Sequence, residues 1–97
     1  MGIPLKNGTF AELVKRLNGS PQAVRGSSEA GRARVRIEGR TVLLIIYDRS
    51  SDAHNRGYRG IWPDQTLCVR GVPSKECWEL EQSLLRDERL KGLVGSY

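Results

Sequence analysis

Residues 32–47 constrain the fold of this chain more than any other segment, because their pattern is that of a β-hairpin. From Arg32 to Ile37 the chain alternates strictly, which predicts a strand with three arginines on one face and three apolar side chains on the other. Glu38-Gly39 is a two-residue turn sequence. The returning segment, Arg40 to Tyr47, is apolar on both faces, so we expect a central strand with something packed on each side.

Helical spacing precedes this hairpin. Apolar residues from Phe10 to Leu17 recur at i, i+3, i+4 and i+7, which predicts an amphipathic helix of about nine residues. Thr9 and Glu12 have the spacing of a capping box, and Asn18-Gly19 is typical of a left-handed helix end. The polar segment 22–31 that follows is predicted to be a loop.

The C-terminal half changes from strand to helix. Residues 48–60 are rich in Ser, Asp, Asn and Gly and predict a loop, and a third strand is expected near Ile61–Arg70. Gly71 and Pro73 then break the chain, and Ser74 can cap a helix from about Lys75 to Leu90.

These elements predict a single domain, 1–97, of the α+β class. We expect a small antiparallel sheet of about three strands, packed with an N-terminal and a C-terminal helix. The apolar positions of these elements give the expected core: Phe10, Leu13, Leu17, Val35, Ile37, Leu43, Ile45, Leu67, Val69, Leu80 and Leu84.

The sequence has no pattern that indicates an enzyme active site. The single histidine, His54, lies in a polar segment beside Asp52, with no nucleophile elbow or oxyanion loop near it. The chain contains neither a G-x-x-x-x-G-K-[ST] loop nor a G-x-G-x-x-G motif, so no nucleotide site is indicated. We therefore expect no catalytic residues and no cofactor.

The two cysteines, Cys68 and Cys77, lie on either side of the strand-to-helix turn. Eight residues separate them, whereas zinc-binding pairs usually have two to four, so a metal site is not expected. They could form a disulfide that joins the last helix to the third strand, or they could be two reduced cysteines buried as small apolar residues. The even cysteine count in a small domain favours the disulfide and an oxidising compartment.

The net charge of +5 predicts an anionic partner. The expected interaction surface combines the strand arginines with basic and aromatic residues of the following loop: Arg32, Arg34, Arg36, Arg40, Arg49, Arg56, Tyr58, Arg59 and Trp62. Such a surface could contact phosphates and stack on bases. Alternatively, these arginines form a solvated strand face that pairs with carboxylates, including those of another subunit.

The segment 72–80, Val-Pro-Ser-Lys-Glu-Cys-Trp-Glu-Leu, resembles the V-P-x-x-x-C-x-x-L turn of the type IVb pilins, including the thin-pilus and toxin-coregulated types. The order of a short helix, a hairpin and this motif is also similar to theirs. The resemblance implies an exported, non-enzymatic assembly subunit of a fibre or secretion apparatus. It would pack against copies or other pilin-like subunits, with membrane contact only through a helix absent from this chain.

The alternative function is that of a small basic cytoplasmic protein, such as a phage or plasmid product. It would bind nucleic acid or an acidic protein partner.

Overall fold

A computed structural model describes residues 2–26, 29–47 and 64–94. The described residues form five strands, two α-helices and one short 3-10 helix. In chain order these are β1 (Ile3–Lys6), α1 (Phe10–Arg16), β2 (Ser20–Gln22), β3 (Glu29–Ile37), β4 (Arg40–Tyr47), β5 (Asp64–Arg70), α2 (Ser74–Leu85) and a 3-10 helix (Glu88–Leu90).

The strands form one antiparallel sheet in the order β1-β5-β4-β3-β2. The expected sheet of about three strands between an N-terminal and a C-terminal helix is therefore wrong, because the structure adds an edge strand on each side and places β1 before the first helix. Each added strand contains a proline, Pro4 in β1 and Pro21 in β2. Proline is tolerated at a sheet edge but counts against a strand in the sequence pattern.

The predicted hairpin is confirmed, with β3 and β4 in register from Ile37 opposite Arg40 to Arg32 opposite Ile45. At the turn, Glu38 and Gly39 both have positive φ, 51° and 79°. Positive φ at both central residues is what the two-residue type I′ turn of a β-hairpin requires. β4 is also the central strand, as its apolar sequence predicts.

The hydrophobic core lies on one face of the sheet, where α1 and α2 pack. Strand residues of this core are Ile3, Leu5, Ala33, Val35, Ile37, Val42, Leu44, Ile46, Leu67 and Val69. The helices contribute Leu13, Val14, Cys77, Leu80 and Leu84, and the C-terminal segment contributes Leu90 and Leu93.

Ile45 is buried as predicted, at 5% exposed, whereas Leu43 is only half-buried. Both lie on the face of the sheet opposite the helices, outside this cluster. In β4 the core residues are Val42, Leu44 and Ile46, which alternate with the predicted pair. Because β4 is apolar on both faces, its own pattern does not select a face. Pairing with β3 decides it, since Leu44 lies opposite the core residue Ala33.

The helix ends also differ from the sequence prediction. The capping box does not form, since the Thr9 hydroxyl donates to the Lys6 carbonyl at 2.6 Å and Glu12 pairs with Arg16 at 3.2 Å. Ser74 is the first residue of α2 and not its cap. α2 ends at Leu85, where a turn leads into the separate 3-10 helix that Asp87 caps.

Candidate binding face of the sheet

The face of the sheet opposite the helices carries the arginines of β3. Arg32, Arg34 and Arg36 alternate with the core residues of this strand, so they lie on the other side. In register with them are Ser20 and Gln22 of β2, and Thr41, Leu43 and the buried Ile45 of β4. We call these eight residues the arginine face.

Two cations on this face have no acidic partner in the described part of the chain. Arg34 and Arg36 are exposed, and neither has an acidic partner among the described residues. Residues two apart on one strand face are about 7 Å apart. The arginine face therefore presents two adjacent cations to solvent.

Arg32 is instead held by an acidic neighbour on the same strand. Its Nε donates to Glu29 Oε1 at 2.8 Å and its Nη2 donates to Oε2 at 2.9 Å, with the two side chains 15% and 9% exposed. The hydrogen bond from Arg32 lowers the pKa of Glu29, and the same bond raises the pKa of Arg32. The backbone N–H of Arg25 also donates to Glu29, at 3.4 Å. These contacts fix the orientation of the Arg32 guanidinium.

A pocket of about 400 Å³ opens beside this pair, at the end of β2. It is lined by Gln22, Ala23, Val24, Arg25, Arg32, Arg34 and Leu43. Val24 is 50% exposed and Leu43 is half-buried, so the pocket has an apolar wall as well as three arginines. Its composition suits a ligand with an anionic group next to a less polar one.

The predicted interaction surface is brought together only in part. Arg34 and Arg36 lie on the arginine face as expected, and Arg32 lies there in its pair with Glu29. Arg40 is not brought together with them, because it shares the helix side of β4 with Val42 and pairs with Glu76 of α2. The loop residues of the prediction, Arg49, Arg56, Tyr58, Arg59 and Trp62, lie outside the described residues, as does His54.

The predicted disulfide is absent, and Cys68 and Cys77 are both free thiols. Cys68 lies between the core residues Leu67 and Val69, so its side chain is on the face away from the helices. Cys77 belongs to the core on the helix side, and its thiol donates to the Val72 carbonyl at 3.2 Å. The sheet therefore separates the two sulfur atoms, and the reduced, buried alternative describes them.

Neither position has the surroundings of a reactive cysteine. Burial raises the pKa of the Cys68 thiol, whereas nucleophilic cysteines need a lowered pKa and access to solvent. Both cysteines are buried.

A second site, which the sequence reasoning missed, surrounds Glu81 of α2. Glu81 is 1% exposed and accepts a hydrogen bond from the Val69 N–H at 2.9 Å, and Arg70 Nη1 lies 4.0 Å from the same oxygen. The signal was a carboxylate at a core position of the helix, four residues after Cys77 and next to Leu80. A cleft of about 370 Å³ lies beside it, lined by Arg70, Val72, Ser74, Cys77, Trp78 and Glu81.

Within the part of the chain that the structure describes, no three His, Cys, Asp or Glu side chains are close enough together to hold a metal ion. None of its helices has the length and apolar character needed to span a membrane.

No protein-family model, curated protein or solved structure matches this chain. The resemblance to type IVb pilins therefore remains a prediction.

Proposed function

We propose that this protein is a binding protein that holds single-stranded nucleic acid on its arginine face. The observation that carries the proposal is the pair of exposed guanidinium groups of Arg34 and Arg36, which have no acidic partner among the described residues, on a sheet face that neither helix covers. Phosphate contacts from such a cationic face supply most of the affinity in non-specific nucleic acid binding.

The shape of the face favours a single strand over a duplex. Leu43 and Tyr47 lie on the same side of β4 as the arginine face and are half-buried, which leaves apolar and aromatic surface beside the cations. Unpaired bases can pack on such surface while the arginines contact the backbone. A duplex conceals its bases in grooves, and reading them takes a protruding helix or ribbon.

The test is the salt dependence of oligonucleotide binding, measured by fluorescence anisotropy. We expect a steep linear fall of log K with log salt for the unmodified protein. The double variant Arg34→Ala, Arg36→Ala should bind more weakly and should reduce the slope by about 1.4, because each phosphate contact to a single strand contributes about 0.7.

A charge-matched control is available on α2 and its C-terminal end. Lys75 and Arg86 are exposed there, on the helix side of the molecule, so Lys75→Ala, Arg86→Ala lowers the net charge by the same amount. An equal loss of affinity in both double variants would show that only net charge matters. No binding at low salt would overturn the proposal and favour an acidic protein as the partner.

A pilin-like assembly role is the second candidate. The observation in its favour is that Val72-Pro73 leads directly into α2, with Cys77 held against the Val72 carbonyl, so that the motif forms one compact turn. In this role the arginine face would pack against acidic side chains of a neighbouring subunit. Analytical ultracentrifugation tests it: packing of copies through this face should give concentration-dependent self-association that Arg34→Ala, Arg36→Ala weakens, and a monomer at all concentrations would count against the role.

A further inference from the structure

We infer that the pocket at the end of β2 binds a phosphomonoester, such as the terminal phosphate of a nucleic acid strand. The inference rests on the proposed function and deepens it, because it specifies which part of the strand the arginine face recognises. A free mononucleotide carries the same chemical group, so the experiment below separates the two sources.

The charge of the pocket matches a phosphomonoester. Arg25, Arg32 and Arg34 line it, and Glu29 neutralises one of these three cations, which leaves a balance of +2. A phosphomonoester carries a charge of about −1.5 to −2 at neutral pH. An internal phosphodiester carries only one negative charge per group, so it would leave part of the pocket's charge uncompensated.

The Glu29–Arg32 pair prepares a bidentate donor. A guanidinium has five N–H donors arranged along two forked edges. Glu29 occupies the edge formed by Nε and Nη2. The other edge, formed by one Nη1 hydrogen and the second Nη2 hydrogen, donates to no acceptor among the described residues. Because Glu29 fixes the plane of the guanidinium, this edge is pre-oriented for two oxygens of one phosphate.

The rest of the pocket suits the group to which the phosphate is attached. About 400 Å³ is more than a phosphate alone needs, and Leu43 and Val24 provide an apolar wall. Gln22 lies beside Arg32 in the pairing of β2 with β3, where its side-chain amide can bond a sugar or base. The pocket therefore fits an end nucleotide better than an isolated anion.

The experiment compares three forms of one oligonucleotide of about twelve nucleotides, a size that suits a single small binding face. One form has a 5′-phosphate, one a 3′-phosphate, and one hydroxyl groups at both ends. We expect one phosphorylated form to bind about tenfold more tightly than the hydroxyl form, as a bidentate charge-assisted contact would give. Val24→Asp, which places a carboxylate at the exposed rim of the pocket, should abolish this preference.

The matched variant is Arg36→Ala, which removes a cation of the arginine face that does not line the pocket. It should weaken the binding of all three forms by the same factor and keep the preference. Arg32→Gln combined with Glu29→Gln is a second pocket variant that leaves no unpaired carboxylate, and it should lose the preference as Val24→Asp does.

The possible failures are distinguishable. Equal affinity of the unmodified protein for all three forms would overturn the phosphomonoester pocket and leave the proposed function standing. Failure to bind any form would overturn the proposed function, and calorimetric titration with adenosine 5′-monophosphate would then test the pocket alone. Binding of the mononucleotide that Val24→Asp removes would support the pocket, and its absence would overturn it.

Discussion

At the scale of single residues, Glu81 supplies a hydrogen-bond acceptor to a backbone N–H of β5 that β1 does not reach. The pairing of β1 with β5 covers residues 64–67 of β5, so the Val69 N–H lies beyond it. Glu81 reaches across from α2 and accepts this hydrogen bond inside the core. An unmade bond there would cost about 1–3 kcal/mol, which explains why a carboxylate is placed among leucines.

Burial of the Glu81 carboxyl makes the stability of the protein depend on pH. Burial raises the pKa of Glu81, and the Val69 N–H and Arg70 offset this only in part. A carboxyl with a raised pKa in the folded state contributes stability below its unfolded pKa and loses that contribution as the pH rises through the folded pKa.

We therefore predict that Glu81→Gln, which keeps an acceptor oxygen but removes the charge, becomes progressively more stable relative to the unmodified protein as the pH rises from the acid range to neutral. The change should not exceed about 1.4 kcal/mol per pH unit. Urea unfolding at a series of pH values measures it. Glu79→Gln on the exposed side of the same helix should differ by less than about 0.5 kcal/mol throughout. A pH-independent difference for Glu81→Gln would contradict the prediction.

At the scale of elements, the packing of α1 on β3 depends on the absence of a side chain at Gly31. α1 has seven residues, too few to be stable without tertiary contacts. A Cβ added at Gly31 would lie 2.8 Å from Cδ2 of Phe10 and 2.9 Å from Cγ2 of Ile46. Glycine thus lets the first residue of the helix pack its ring directly over the strand.

We predict that Gly31→Ala lowers the free energy of unfolding by about 1–3 kcal/mol, because a methyl group forced into this contact displaces the Phe10 ring or the strand. Chemical denaturation measures the loss. Adding Phe10→Leu to Gly31→Ala should recover part of it, since the smaller side chain makes room. A Gly31→Ala protein as stable as the original would show that α1 does not pack as described.

At the scale of the whole molecule, the sheet divides the protein into two sides with different roles. The helices and the apolar core occupy one side, and the arginine face occupies the other. The strand register that sets this division also places Cys68 and Cys77 on opposite sides. Whether Cys68 and Cys77 can form a disulfide therefore tests this placement of the helices against the sheet.

We predict that the native protein treated with oxidised glutathione or diamide keeps two free thiols and forms no Cys68–Cys77 disulfide. Intact-mass spectrometry without reduction measures this, because a disulfide would lower the mass by two hydrogens. The same oxidant applied to the protein unfolded in urea should produce the disulfide, which shows that the chemistry is competent. A disulfide formed under native conditions would contradict the described placement of α2 against the sheet.

The sequence by itself determined the elements whose patterns are strong. The hairpin, its Glu38-Gly39 turn, the first helix and the strand-to-helix turn at 71–73 all follow from local periodicity and turn chemistry. It also placed Arg34 and Arg36 side by side on one strand face, because side chains two apart on a strand point the same way.

Only the tertiary structure decided the features that depend on distant partners. β1 and β2 exist because longer strands offer them backbone hydrogen bonds, and their own sequences, each with a proline, do not indicate strands. The core face of β4, the pairing of Arg40 with Glu76 and the burial of Glu81 likewise depend on which element lies opposite. Local pattern specifies how a segment folds, whereas its partner specifies which side is buried and which charges remain free to bind.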